Sequence, residues 1–390
     1  MRFIDHVVSS KLLMPMAWNI PSHASMPAAE TSTAPAIRRL AGGYRAKLGE
    51  SPVWTDDGRL AFVDIVAKEL LCIDPAAADE IPKRTALPTT PGCLVRSKKG
   101  GLLVALTMDD AASQPGGRLC RVHPPSSTTP DASVDDPSTS FMADVLNKNM
   151  HPPLDDDATP GAVLNDGAVD ARGRVWVGSK LLSKTTQEPG SQGQPLGAVF
   201  CVESAFAFRG GEMATVGSVQ VVREIGGVHT SNGIGWSPDG CVMYHVDSPR
   251  RRVDAYDFDV NSGMLTSPRV FCEVAEPGVP DGLAVDLDGG VWVCVWDGGR
   301  VERYISDESK PNFARLDRTL DFKKSVNVTR PTSCCFGEGD FSETLFFTSC
   351  ALDTTVDSNA IDLSSEQPNA GAVFAVDVGV KGVDTHAASF

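Results

Sequence analysis

The chain has 390 residues, a formal net charge of −15, 42% hydrophobic residues and ten cysteines. An acidic surface of this size argues against nucleic-acid binding, because phosphate backbones demand positive charge, and no apolar run approaches the roughly 20 residues needed to span a bilayer. The expectation is a soluble, cytoplasmic protein with ample material for one large core and neither nucleic acid nor membrane as a partner.

In chain order, residues 1–40 come first. They mix Ala, Ser, Pro and Met around an interrupted apolar stretch with an early Asp5. This suits neither a secretory signal nor an Arg-rich transit peptide. They are read as an N-terminal extension, disordered or loosely attached, and residues 41–390 as a single domain.

From there on, short turn segments recur, each followed by strand-like runs. They are Gly49-Glu50-Ser51-Pro52, Pro91-Gly92-Cys93, Leu164-Asn165-Asp166-Gly167, Ser231-Asn232-Gly233, Pro280-Asp281-Gly282 and Pro331-Thr332-Ser333. The runs alternate apolar and polar residues or are wholly apolar, and Asp-Gly pairs such as Asp239-Gly240 break them into hairpins. Asn232 and Asp281 lie 49 residues apart, and Asp281 and Thr332 lie 51 apart. That is close to one four-stranded propeller blade of roughly 40 to 50 residues. Six such units predict an all-β, six-bladed β-propeller with its turn segments gathered at one end of a central channel. Glu50 and Asn165 are 115 residues apart, long for two blades. The excess is read as an insertion near 109–160, rich in Pro, Ser, Thr and Asp, with a smaller one near 183–194.

Most cysteines, among them Cys72, Cys201, Cys241, Cys272, Cys294 and Cys350, sit in or beside apolar runs, which reads as buried free thiols. No Cys-x-x-Cys spacing points to zinc. His229 and His245 flank the Asn232 segment and are read as structural. Asp155-Asp156-Asp157 is read as a solvated loop, and Arg250-Arg251-Arg252 as a solvated hairpin turn.

The chemistry lies in four of the turns. Glu50, Asn165, Asn232 and Asp281 offer hard oxygens at equivalent places in a repeat, which suits a divalent cation such as calcium, magnesium or manganese. Such a cation polarises a carbonyl and acidifies water, with Asp281 serving as ligand and base together. The plainer reading, that Asn-Gly and Asp-Gly merely form turns, weakens when four stand in register.

These same segments, with Asp297-Gly298-Gly299-Arg300 and Thr332-Ser333-Cys334-Cys335-Phe336, resemble the regucalcin (senescence marker protein)/gluconolactonase family in order and, after Asn232, nearly in spacing. The resemblance implies a six-bladed propeller that hydrolyses sugar-type lactones with one divalent ion (Ca, Zn, Mn or Mg). It also implies that Glu50, Asn232 and Asp281 bind the metal, that Asn165 lies beside it, contacting metal or substrate, and that Asp281 activates the water. Trp296 and Asp297 replace a Tyr-Asn pair of relatives and are expected at the pocket mouth as substrate contacts. The animal lactonases grip the sugar through an Arg and a Glu, whose places are held here by Val163 and Ser183. A polar sugar clamp is therefore missing or rebuilt from elsewhere, which leaves the identity of the lactone open. Two alternatives stand beside the small-molecule lactonase: a phosphotriesterase of the diisopropyl fluorophosphatase type, which also resembles a propeller with this oxygen set, and a non-catalytic calcium-binding regulator.

Overall fold

The computed structural model describes residues 35–108, 116–124, 133–134, 141–146, 162–181, 197–204, 208–209, 212–213, 219–310, 313–353 and 360–390. Asp155 to Asp157, Ser183 and residues 1–34 lie outside this set.

The Asp-Gly and Asn-Gly punctuation folds the chain into six blade sheets, five antiparallel with four strands and the second with six, one of them parallel, and a two-stranded ribbon of Phe208–Arg209 and Glu212–Met213. Blade 1 runs Gly49–Trp54, Leu60–Asp64, Glu69–Ile73 and Lys83–Ala86. The first strands of the later blades are Pro91–Ser97, Ala162–Val169, Ser231–Trp236, Val279–Val285 and Pro331–Phe336. These six innermost strands pack side by side in a closed ring, the last against the first. Among the described residues the one α-helix is Phe322–Val326. The expected six-bladed all-β propeller is the observed fold.

The core is divided among the seams of the ring. Each of six apolar clusters joins two adjacent blades: Trp54, Phe62 and Phe346 between blades 1 and 6, Trp176, Trp236 and Phe258 between blades 3 and 4, Trp292, Phe322, Phe347 and Phe374 between blades 5 and 6. No single blade buries its own faces, so stability depends on closure.

Two features differ from the sequence reading. Ile37–Arg39, placed above in the N-terminal extension, pairs antiparallel with Phe374–Asp377 and supplies the outermost strand of blade 6. The two ends of the chain thus close the ring in one sheet. Gly116–His123 and Phe141–Leu146, within the stretch read as an insertion, are the third and fourth strands of blade 2. Their alternation is short and interrupted, and hydrogen bonding to Leu102–Met108 overrides the loop-like composition. All ten cysteines are free, but Cys241 is exposed rather than buried, because it follows the Asp239-Gly240 turn.

The far end of the channel is crossed by the C-terminal segment. Val383 N–H donates to Val285, Ala387–Ala388 pairs in parallel with Pro91–Ser97, and Ser389 N–H donates to Gly173. This ties blades 5, 2 and 3 together.

Blades 3 and 5 share a hairpin device. Asp170 accepts from Arg172 N–H, Arg174 N–H and the Trp176 indole, and Asp286 from Asp288 N–H, Gly290 N–H and the Trp292 indole. Each carboxylate also pairs with a buried arginine, Arg174 at 2.6 Å and Arg303 at 2.7 Å. Replacing Asp286 by Ala leaves Arg303 with Asp317 alone and orphans the indole N–H, so unfolding is expected to become easier by about 3 kcal/mol. Asp288→Ala, on the exposed side of the same turn, should cost less than about 0.5 kcal/mol. Chemical denaturation of both variants checks the contrast.

Candidate functional site

The geometry of the channel mouth comes from a bulge repeated six times. Register shifts interrupt the innermost strand between Glu50 and Val53, Pro91 and Leu94, Leu164 and Gly167, Ser231 and Ile234, Pro280 and Leu283, and Pro331 and Cys334. A bulge kinks its strand and re-aims a side chain. Asn165, Asn232 and Asp281 hold the same second place in their bulges. Glu50 stands one place earlier, on a side chain one methylene longer than aspartate.

Glycine is required where the bulges nest. A Cβ at Gly233 would lie 2.6 Å from the Leu283 nitrogen and 3.0 Å from the Asp281 carbonyl oxygen, and one at Gly282 would lie 2.3 Å from Ser333 Oγ. The Asn-Gly and Asp-Gly pairs read as turns therefore act as close-approach points between blades.

Around the mouth the structure brings Glu50, Asp281, Asp166 and Lys180 within electrostatic reach of one another. Burial, then the Asp281 and Asp166 carboxylates, push the Glu50 carboxyl well above its usual range. Burial and Asp166 do the same to Asp281. Burial lifts Asp166 to about 6, against the hydrogen bond it accepts from Gly167 N–H at 2.7 Å. Like charges gathered in a poorly solvated place favour protonation or a cation.

Two amides complete the set. Asn165, buried, donates through Nδ2 to the Ser231 carbonyl and to Asn232 Oδ1, both at 2.7 Å. Both amide hydrogens are thereby used, and its own Oδ1 has no hydrogen bond among the described residues. Asn232 donates through Nδ2 to Ser248 Oγ at 2.7 Å. With one lone pair of Asn232 Oδ1 given to Asn165, a second is free for a ligand.

The donor set fits a hard divalent ion: two carboxylates whose proton affinity is raised chiefly by burial, and an amide oxygen whose orientation is fixed. Among the described residues no three carboxylate, imidazole or thiol groups converge as a cage by themselves. For such an ion Glu50 and Asp281 would offer two charged groups, with an amide oxygen beside them. Cys93 and Cys294 lie within the influence of these carboxylates, but burial pushes both thiols well up, so they stay protonated and ligate poorly.

Beneath the mouth a cavity of about 320 Å³ is lined by residues of all six innermost strands, from Ser51 and Asp166 to Trp236 and Phe336, and by residues 383–386 at the far end. Val163, buried, faces across the ladder to Lys180. Trp296 and Asp297 sit at the end of the strand that pairs with the Asp281 strand. There Arg330 packs over the Trp296 ring at 4.8 Å and donates to Asp297 at 2.6 Å. Asp297 is exposed and engaged by Arg330, on the rim.

His245 is buried, pushed down to about 4 by desolvation and hence neutral, and its Nε2 lies 2.9 Å from Ser231 Oγ. It braces the strand carrying Asn232. His229 contacts Asp247, whose carboxylate also caps the His229 and Thr230 N–H groups. Arg250, Arg251 and Arg252 pair with Asp247, Glu276 and Asp254 respectively. Sequence reasoning assigned no role to Asp166 or Lys180. Asp166 was visible only as a turn residue, and Lys180 as a lone cation near the end of an otherwise mostly apolar strand.

Comparison with known proteins agrees with this geometry. A family model described as SMP-30/Gluconolactonase/LRE-like region matches residues 48–351. Regucalcin of Gallus gallus is 30% identical over 346 residues, covering 88% of this chain and 95% of that protein. Among solved structures, a luciferin-regenerating enzyme superimposes with a TM-score of 0.67 at 22% identity, covering 91% of this chain and 100% of the other. A calcium-binding protein, regucalcin, from Agrobacterium tumefaciens superimposes at 0.63 and 19% identity, covering 90% and 96%. These structural likenesses carry the fold, and the matched family region spans all six bulges, with the Glu50, Asn165, Asn232 and Asp281 positions, and the two inner strands of the sixth blade. The chain belongs to the SMP-30/gluconolactonase/LRE-like family.

Proposed function

We propose that this protein is a divalent-metal-dependent hydrolase that opens a sugar-type lactone to a hydroxy acid. The observation that carries the reading is the meeting of Glu50 and Asp281 with the oriented amide of Asn232 at the mouth of the channel, in a family whose description includes gluconolactonase.

In this reading Glu50, Asn232 and Asp281 hold the ion. When bound, it supplies Lewis-acid polarisation of the lactone carbonyl and a lower pKa for nearby water. Asp281 takes the proton from the attacking water. Asn165 does two things: its Nδ2 fixes Asn232, and its free Oδ1 accepts from a substrate hydroxyl. The ring oxygen leaves as an alcohol after gaining a proton, and a hydroxy-carboxylic acid is released. Trp296 and Asp297 border the entrance as rim contacts.

A calcium-binding role without catalysis has one support, the naming of a structural neighbour as a calcium-binding protein. Acid release from a panel of aldonolactones separates the two, with metals restored after chelation and phosphotriesters run in parallel. The proposal expects metal-dependent lactone opening, reduced at least about 100-fold in Asp281→Asn and Glu50→Gln. Tight metal binding without turnover of any ester would contradict it and leave the regulator.

The electrostatics give a second expectation. Asp166 is raised from its usual 3.8 to about 6. The folded chain therefore holds this proton more tightly than the unfolded chain. The resulting destabilisation is absent below pH 3.8, develops between pH 3.8 and about 6, and is full above it. In chelated protein, Asp166→Asn should raise stability at pH 7 by about 1 to 2 kcal/mol and leave it nearly unchanged at pH 4. Paired denaturation curves at the two pH values check this. An equal effect at both pH values would show that the gain is not electrostatic.

A further inference from the structure

The reaction above leaves a cation of the mouth, Lys180, without a task. Lys180 is the penultimate residue of the second strand of blade 3, Val175–Leu181. It stands directly opposite Val163 in the ladder, and its backbone bridges to Thr230, one residue before the Ser231–Asn232 bulge. It thus lies in the seam between the strand that carries Asn165 and the strand that carries Asn232.

The side chain is partly buried. Its ammonium is attracted to Glu50, Asp281 and Asp166, yet it makes no hydrogen bond and no ion pair within 4.0 Å among the described residues. An ammonium has three donors, and here no neighbouring side chain among the described residues takes one, which leaves them open to a ligand. Neighbouring Asn165 and Asn232 spend their amide hydrogens on Ser231, on one another and on Ser248. The three carboxylates with a bound dication would carry a net −1, which repels an anionic ligand. Lys180 brings the sum to zero and adds a charged donor suited to an oxyanion.

We propose that Lys180 is the substrate-anchoring residue and that the lactone it selects carries an oxyanion, a carboxylate or a phosphate, beyond the ring. This rests on the lactonase reading for the reaction, but the binding it predicts is measurable without turnover.

The test uses the metal-loaded full-length chain and three lactones: gluconolactone (neutral), a glucaric acid monolactone (carboxylate) and 6-phosphogluconolactone (phosphate). Calorimetry with the open-chain gluconate, glucarate and 6-phosphogluconate runs beside it. Wild type should prefer the charged lactones at least 10-fold in kcat/KM, and should bind glucarate or 6-phosphogluconate at least 10-fold more tightly than gluconate. The better of the two identifies the anion.

Lys180→Gln should erase that preference through KM, leave gluconolactone within about 3-fold, and tighten binding of the metal alone severalfold, since one positive charge is gone. Lys180→Arg should restore the preference, and unchanged unfolding midpoints establish that both variants fold. Turnover of all three lactones with no Lys180-dependent preference overturns this inference and spares the lactonase. Lys180-dependent selection of the charged acids with no turnover of any lactone does the reverse. Metal affinity unchanged in Lys180→Gln also overturns it, because the ammonium then does not face the cation site.

Discussion

Every feature of the channel mouth depends on one backbone device, the bulge that interrupts each innermost strand at the same height. A regular strand would send alternate residues to its two faces and place none toward the axis. The bulge bends the strand and turns one side chain inward. Closing the ring then brings side chains more than one hundred residues apart in the chain onto one surface. The glycines at 233 and 282 are the cost of that nesting, since adjacent bulges approach too closely for a Cβ. The scaffold is made rigid by six apolar seams rather than one core, so the position of each bulge is fixed by both neighbouring blades.

That convergence has an electrostatic price. Burial raises the proton affinity of Glu50, Asp166 and Asp281, Asp166 raises it further at the other two, and Asp281 adds to it at Glu50. Natural folds tolerate such strain mainly where it serves a site. A dication relieves it most directly, and Lys180 relieves it in part. The site is thereby a balance between three negative charges and whatever cations attend them. The hydrogen-bonded Asn165 and Asn232 add oxygen donors without adding charge. The neutral His245 and the protonated thiols behind the bulges keep the surroundings free of competing charge.

The fold was legible because its repeats are punctuated by residues with a mechanism. The Asn-Gly and Asp-Gly pairs are needed both to turn and to nest, so they recur at blade spacing and mark the inner strands. Where a strand lacks that punctuation, the pattern fails. Ile37–Arg39 has three residues, two of them arginines, and becomes a strand only because the edge of Phe374–Asp377 awaits a partner. Gly116–His123 and Phe141–Leu146 are set among Ser, Thr, Pro and Asp, and their pairing is decided by a neighbouring strand. The site follows the same division. Glu50, Asn165, Asn232 and Asp281 were legible because each belongs to a bulge. Lys180 belongs to a second strand, where no turn motif points to it, and its relation to the mouth arises from register with Val163 and Thr230. Asp166 was hidden in plain view, its carboxylate taken for part of a turn.

The central claim is that Glu50, Asn232 and Asp281 together hold a divalent ion. Crystals grown with manganese and measured for anomalous scattering test it most directly. The account predicts one strong anomalous peak at the channel mouth, contacted by the two carboxylates and by Asn232 Oδ1, with Asn165 still bonded to that amide. No peak there, or a peak held by other residues, would contradict it.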